Sequence, residues 1–181
     1  MYLPRKKMYG FTLLELMVTV AVIAVVAGLA APSFAELTRR NRLATAANEM
    51  VALLQFGRIE AISRRAAISV CPSADGGSCS NAIGNRWIVL STKNGTNQVL
   101  RDLNLPAQVT LRASANLQGA RNRFTFSSNG FSSAGNNASG TLRVCVPELG
   151  GENSVDVSAS VGRINTTRQR GTAACSAPAD N

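Results

Sequence analysis

The chain begins with a long apolar segment. Between residues 11 and 31 the polar side chains are Thr12, Glu15 and Thr19, of which Glu15 alone carries a charge. A helix rises about 1.5 Å per residue, so a segment of this length spans the roughly 30 Å hydrocarbon layer of a membrane. We therefore predict a transmembrane helix over residues 11–32.

Apolar residues become periodic after residue 32. They recur at intervals of three and four as far as residue 64, whereas Arg39, Arg40 and Arg42 lie off this repeat. Such spacing places the apolar side chains on one face of an α-helix. We predict an amphipathic helix over residues 33–64, with the core-facing side chains Leu37, Leu43, Ala44, Ala47, Met50, Val51, Leu54, Ala61 and Ile62.

From residue 65 onward the pattern changes to short alternating segments, which are typical of β-strands. Turn-forming residues separate these segments, with a tight hairpin predicted at 93–96 and a Ser/Asn/Gly-rich loop at 127–140. The alternation predicts one antiparallel sheet, or two small ones, in a β-rich head over residues 65–181. The predicted strands are 68–71, 86–91, 99–102, 108–112, 123–127, 141–147 and 154–163.

A basic leader precedes the apolar segment. Residues 1–10 contain Arg5, Lys6 and Lys7 and no acidic residue. By the positive-inside rule this end stays in the cytoplasm, and the chain after residue 31 is exported. A signal peptide cut near Ala30 and an ordinary single-pass anchor both fit this pattern. Neither accounts for a carboxylate inside the spanning helix, which costs about 3 kcal/mol unless it has a partner.

The junction between leader and helix carries a resemblance. The sequence KMYGFTLLEL, residues 7–16, resembles the class III leader junction of type IV pilins and type II secretion pseudopilins. This resemblance implies that prepilin peptidase removes residues 1–10 by cleavage after Gly10 and methylates the new amino terminus at Phe11. Glu15 then becomes the fifth residue and pairs with the terminal amine of a neighbouring subunit. Two opposite charges buried together are far less costly than either alone.

The head resembles a narrower group. The segments LLQFGRIEAISRRAAISVCPSADGGSC, RWIVLSTKNG, GTLRVCV and SVGRI occur in the order typical of the GspH/FimT family of minor pilins and pseudopilins. The resemblance implies an α+β, pilin-like lollipop whose long N-terminal helix packs on an antiparallel β-sheet head. It also implies a low-abundance subunit that primes assembly of a type IV pilus or sits near its tip, in the inner membrane with its head in the periplasm. The expected partners are major and minor pilins and prepilin peptidase, with no cofactor.

Two alternative functions follow from the same resemblance. One is a minor pseudopilin of type II secretion, similar to protein H of that system. The other is a DNA-binding receptor pilin for natural transformation, because several FimT members of the family bind DNA through a C-terminal Gly-Arg-x-Arg motif. Gly162 and Arg163 match that motif, but Asn165 replaces its second arginine. Arg168 and Arg170 follow, and together with Arg163 they are predicted to contact phosphates without reading sequence.

All four cysteines lie in the part predicted to be exported. An even number in an oxidising compartment predicts two disulfides, with three possible connectivities. We favour Cys71–Cys79, closing a turn-rich loop, and Cys145–Cys175, tying the C-terminal tail to a strand. A zinc site is the alternative, although the spacing without histidine does not form a ligand pattern.

Composition narrows the class of protein further. The chain has no histidine, which removes the catalytic triads that use an imidazole base and the commonest metal ligand. No other cluster of nucleophile and base is visible, so we predict that the protein is not an enzyme and holds no metal. Without the leader, 16 basic residues face 10 acidic ones, leaving a net charge of +6. A basic exported surface attracts DNA, anionic cell surfaces or acidic partner pilins.

Overall fold

A computed structural model describes residues 10–93, 95–172 and 174–180, without the side chains of residues 31 and 32. The predicted leader, apart from Gly10, lies outside the described residues. The chain divides into two compact units, with the boundary after Leu37. One helix, α1 (Leu13–Arg64), contributes to both units.

The first unit contains the apolar part of α1. Residues Leu13–Ala30 have a mean hydropathy of 2.5 and none of them is buried, which makes this segment long and apolar enough to cross a membrane. Side chains such as Leu13, Leu14 and Leu29 are more than 70% exposed. Apolar side chains on every face of a helix need an apolar environment, either lipid or other helices.

The second unit is built around the rest of α1. The helix buries the apolar face predicted from its periodicity, whereas Leu37 and Ile62 are about half exposed and do not belong to the core. At Gly57 the helix approaches the sheet so closely that a Cβ atom there would stand 2.6 Å from Cγ2 of Val70. Glycine therefore sets the helix-to-sheet distance at this point. The buried side chains of α1 are Leu43, Ala46, Ala47, Met50, Leu53, Leu54 and Ala61.

The helix ends in a left-handed residue. Arg65 has φ +50, and the backbone N–H of Ala66 donates to the carbonyl of Ala61 at 3.2 Å. This bond spans five residues, as in the Schellman closure that usually places glycine at the left-handed position. Arginine there is strained, because its Cβ crowds the backbone.

Two antiparallel sheets form the head within the described residues. The first has the strand order β3-β2-β1-β5-β6 and the second the order β4-β7-β8-β9. The elements are β1 (Ile68–Pro72), β2 (Arg86–Lys93), β3 (Thr96–Asn104), β4 (Thr110–Ala113), α2 (Ala115–Gly119), β5 (Phe124–Phe126), β6 (Ser132–Ser133), β7 (Ser139–Cys145), β8 (Ser154–Ser160) and β9 (Arg163–Gln169).

A single continuous core joins α1 to both sheets. Trp87, Phe124 and Phe126 from the first sheet pack with Leu142 and Val157 from the second, and all five are fully buried. The buried apolar residues of α1, from Leu43 to Ala61, belong to the same cluster. The α+β fold with an antiparallel head, predicted from the sequence, is confirmed.

The predicted strand over 154–163 is too long. It ends at Ser160, and a two-residue turn of Val161 (φ +40) and Gly162 (φ +80) leads into β9. Two left-handed residues in succession form the tight hairpin turn that suits the twist of antiparallel strands. Valine is rare at the first position of such a turn, so the sequence does not indicate a turn at Val161. The segment after this turn, which the sequence did not predict as a strand, is therefore the edge strand of the second sheet.

The loop predicted at 127–140 also contains regular structure. β6 pairs with β5, joining Thr125 to Ser133 and Phe126 to Ser132. A two-residue strand of serines has no hydrophobic alternation that the sequence could reveal.

Candidate functional site

Thr12 caps the start of α1. The backbone N–H of Glu15 donates to the Thr12 hydroxyl oxygen at 3.2 Å, and the N–H of Leu16 donates to the Thr12 carbonyl at 3.2 Å. Thr12 is not among the residues predicted above, although a threonine three residues before a glutamate is the sequence signal of an N-terminal cap. Because the helix starts at Leu13, Phe11 lies just outside it and is 83% exposed.

Glu15 lies in the first helical turn, where the helix dipole favours an anion. Residues 10–38 contain no lysine or arginine. No ion pair joins Glu15 to any described residue. In an apolar environment its carboxylate therefore needs a cation from outside the described residues.

Both disulfides have the connectivity favoured from the sequence. Cys71–Cys79 joins Cα atoms 5.6 Å apart and closes the loop after β1. Cys145–Cys175 joins Cα atoms 6.1 Å apart and fastens the C-terminal tail to the end of β7. With the four sulfur atoms bonded in pairs, no thiolate remains for the alternative zinc site. The described residues contain no group of three or more metal-binding side chains.

Asp75 organises the loop closed by Cys71–Cys79. Its carboxylate accepts hydrogen bonds from the backbone N–H groups of Ser78 and Gly77, each at 2.9 Å, and from the hydroxyls of Ser78 and Ser73. The backbone bonds, that of Ser78 first, hold the pKa of Asp75 well below its ordinary value. This loop is thus ordered around one carboxylate that accepts hydrogen bonds from Gly77, Ser78 and Ser73.

The tail beyond β9 returns to the second sheet. Arg112 on β4 donates from Nε to the carbonyl of Cys175 at 3.2 Å, and Arg143 on β7 donates from Nη1 to the carbonyl of Ser176 at 3.2 Å. The carboxylate of Asp180 accepts from the backbone N–H of Asn116 at the start of α2. Hydrogen bonds together with Cys145–Cys175 therefore hold residues 175–180 in place.

The three arginines predicted to contact DNA do not form one cluster. Arg163 lies opposite Ser160 at one end of β9, and Arg168 lies opposite Val155 near the other. Side chains alternate along a strand, so residues five positions apart point to opposite faces and stand about 16 Å from each other. Arg170 follows β9, and all three side chains are exposed. These arginines thus line the two sides of a sheet edge rather than a single cradle.

Comparison with known proteins identifies both parts of the chain. Residues 46–162 match the protein family described as type II transport protein GspH. Residues 5–31 match the prokaryotic N-terminal methylation motif. Among curated proteins no match is found.

Solved structures of two proteins resemble the chain. The type IV minor pilin FimU of Pseudomonas aeruginosa PAO1 is 25% identical in sequence and superposes with a TM-score of 0.53, covering 74% of this chain and 97% of FimU. The minor pseudopilin EpsH of the Vibrio cholerae type 2 secretion system is 13% identical and superposes with a TM-score of 0.51, covering 70% of this chain and 97% of EpsH. At that identity the likeness to EpsH shows a common fold alone.

Proposed function

The chain belongs to the GspH family, and we propose that it is a minor pilin that primes assembly of a type IV pilus or sits near its tip. One observation carries this proposal: the chain combines a methylation-motif helix with a head that has the fold of FimU. FimU is a type IV minor pilin and is 25% identical in sequence to this chain, which favours a type IV pilus over a secretion pseudopilus. The proposed role is structural and includes no catalysis.

Membrane insertion is the first step of the proposed role. The apolar half of α1 anchors the subunit in the inner membrane, with the basic leader in the cytoplasm and the head in the periplasm. Complete pairing of the cysteines supports this location for the head, because disulfides form and persist in oxidising compartments.

Processing prepares the subunit for assembly. Prepilin peptidase is proposed to cleave after Gly10 and to methylate Phe11. Gly10 and Phe11 are both exposed and precede the first helical residue, Leu13, so the bond between them is not held within the helix. Among the described residues, no heavy atom outside its neighbours lies within 4 Å of a Cβ placed on Gly10. A side chain at this position is therefore expected to affect peptidase recognition rather than folding.

Assembly then depends on Glu15. A carboxylate without a cationic partner within its own described chain is stabilised when the terminal amine of Phe11 of an adjacent subunit approaches it in the membrane. Thr12 orders the first turn of α1 and thereby positions Glu15 at the start of the helix. Pairing of opposite charges in an apolar layer favours one axial register between neighbouring helices.

The test separates processing from incorporation. We expect Gly10→Val to retain the leader, which intact-mass measurement of the membrane-bound chain detects. We expect Glu15→Leu to be processed normally but to fall at least ten-fold in sheared filaments. Met17→Leu, a neutral change in the same exposed segment, is the matched control and should be incorporated like the wild type. Normal incorporation of Glu15→Leu would refute the pairing, and absence of the wild-type chain from filaments would refute the proposed function.

A further inference from the structure

Two glycine turns meet α1 at Arg58 and Ile62. A Cβ atom on Gly130 would lie 2.8 Å from Cδ1 of Ile62, and one on Gly162 would lie 3.3 Å from the ring of Phe131. Both glycines have φ near +80, which side-chain-bearing residues rarely adopt. The turn between β5 and β6 and the turn between β8 and β9 are thus packed side by side against the end of α1.

Three apolar side chains project from this junction. Ile62, Phe131 and Val161 are 47%, 51% and 57% exposed, respectively. We call these three residues the apolar patch. A Cβ placed on Gly162, the residue after Val161, would lie 3.3 Å from Phe131, and one placed on Gly130, the residue before Phe131, would lie 2.8 Å from Ile62, so the three side chains come from segments that lie close together. Contiguous exposed apolar side chains mark an interaction surface more often than scattered ones do.

Val161 is held in an unfavourable backbone conformation. Its φ is +40, and the left-handed region is strongly disfavoured for a β-branched side chain. Asparagine or glycine would fit the first position of this two-residue turn with less strain. Since Val161 is exposed, burial in the core does not offset the strain. Backbone strain of this kind collects at functional sites.

Two arginines border the apolar patch. Nε of Arg58 is buried and has no hydrogen-bond partner among the described residues, and its Nη2 lies 3.5 Å from a Cβ placed on Gly162. Arg163 follows Gly162 directly and lines a groove of about 420 Å³ with Ser160, Val161 and Asn165. A complementary surface would therefore combine an apolar centre with carboxylates at its edge.

We infer that the apolar patch docks the head of another pilin-like subunit, which presents apolar side chains to Val161 and Phe131 and a carboxylate to Arg58 or Arg163. This inference rests on the proposed function, because a filament subunit must contact neighbouring heads. Nucleic acid fits the surface less well, since aliphatic side chains such as Ile62 and Val161 have no favourable contact with phosphates. Burial of Val161 in an interface would offset the strain of its left-handed backbone conformation, which burial in the core of the head does not offset.

Val161→Asn separates docking from folding. Asparagine tolerates the left-handed conformation, so the full-length variant in detergent is expected to unfold at the same temperature as wild type or higher. Its abundance in sheared filaments is expected to fall at least five-fold. Val99→Asn is the matched control, because Val99 is an exposed valine on β3, away from the two turns, and should leave incorporation unchanged. Wild-type incorporation of Val161→Asn would overturn the inference.

Photo-crosslinking identifies the occupant. A benzophenone amino acid replaces Val161 or, in the control, Val99 in the full-length chain, and intact cells are irradiated. The inference expects an adduct from position 161 with a second chain that carries an N-terminal methylation motif. An adduct with DNA, or no adduct at position 161, overturns it. If the wild-type chain is absent from filaments but the adduct forms, the proposed pilus role is refuted and the docking surface is supported. If the wild-type chain is present in filaments but no adduct forms, the docking surface alone is refuted.

Discussion

Arg143 on β7 and Asp156 on β8 face each other in the sheet register, joined by two parallel hydrogen bonds of 2.6 and 2.7 Å. Their side chains are only 12% and 8% exposed, and the Ser176 carbonyl in the tail accepts a further bond from Arg143. The hydrogen bond with Asp156 raises the pKa of Arg143, so the guanidinium remains charged. Each charge is held away from water and depends on the other.

Breaking this pair should be strongly destabilising. We expect Asp156→Ala to lower the free energy of unfolding by about 3–5 kcal/mol, because it leaves Arg143 buried without a counter-charge. The measurement is urea unfolding of the full-length chain in detergent. Arg39→Ala is the control, since Arg39 and Glu148 form an exposed pair at 3.4 Å and the loss should be below about 1 kcal/mol. Equal losses in the two variants would contradict the role given to burial.

The two disulfides should differ in their contribution. Cys145–Cys175 closes a sequence separation of 30 and Cys71–Cys79 one of 8. The entropy of loop closure predicts losses of about 3.6 and about 2.5 kcal/mol when each pair is replaced by serine. Unfolding of the two double variants measures the difference, and hydrogen exchange at residues 175–180 should increase only when Cys145–Cys175 is removed. A larger loss from the shorter loop would show that strain, rather than chain entropy, decides the order.

Arg65→Gly should stabilise the head. Glycine adopts the left-handed conformation of Arg65 without steric cost, so the free energy of unfolding should rise by about 0.5–1 kcal/mol. Ser63→Gly, an exposed change inside the last turn of α1, is the control and should lower it by about the same amount. Thermal unfolding of both variants tests whether the free energy of unfolding rises in Arg65→Gly and falls in Ser63→Gly. A loss of stability in Arg65→Gly would show that Arg65 is not strained.

DNA binding through Arg163, Arg168 and Arg170 stays a prediction. The positions of these arginines indicate how each would contribute to binding. Because Arg163 and Arg168 lie on opposite faces of β9, we expect them to act independently. In titrations of the full-length chain with duplex DNA at several salt concentrations, each arginine removed should reduce the salt dependence by about one counterion. Loss of all binding from a single substitution would indicate one shared cradle instead. No salt-dependent binding at low salt would eliminate the receptor alternative.

Local patterns determined much of the protein. An apolar run of one helix length predicts α1, and the periods of 3.6 and 2 predict an α+β fold, because each pattern reflects contacts within a few residues. Short motifs are similarly local: the Gly10–Glu15 junction and the cysteine spacing indicated family and disulfide pairing. Thr12 was also readable as a cap, since its partner Glu15 is three residues away.

Other features depend on which distant segments meet. The sequence by itself determined the helix and the antiparallel head, since neighbouring residues encode both of them. Tertiary structure alone decided that Arg163 and Arg168 lie on opposite faces of an edge strand and that Ile62, Phe131 and Val161 share one surface. It also buried Arg143 with Asp156 beneath a returning tail. Strand pairing and burial join residues far apart in the chain, and no local periodicity records which of them will become neighbours.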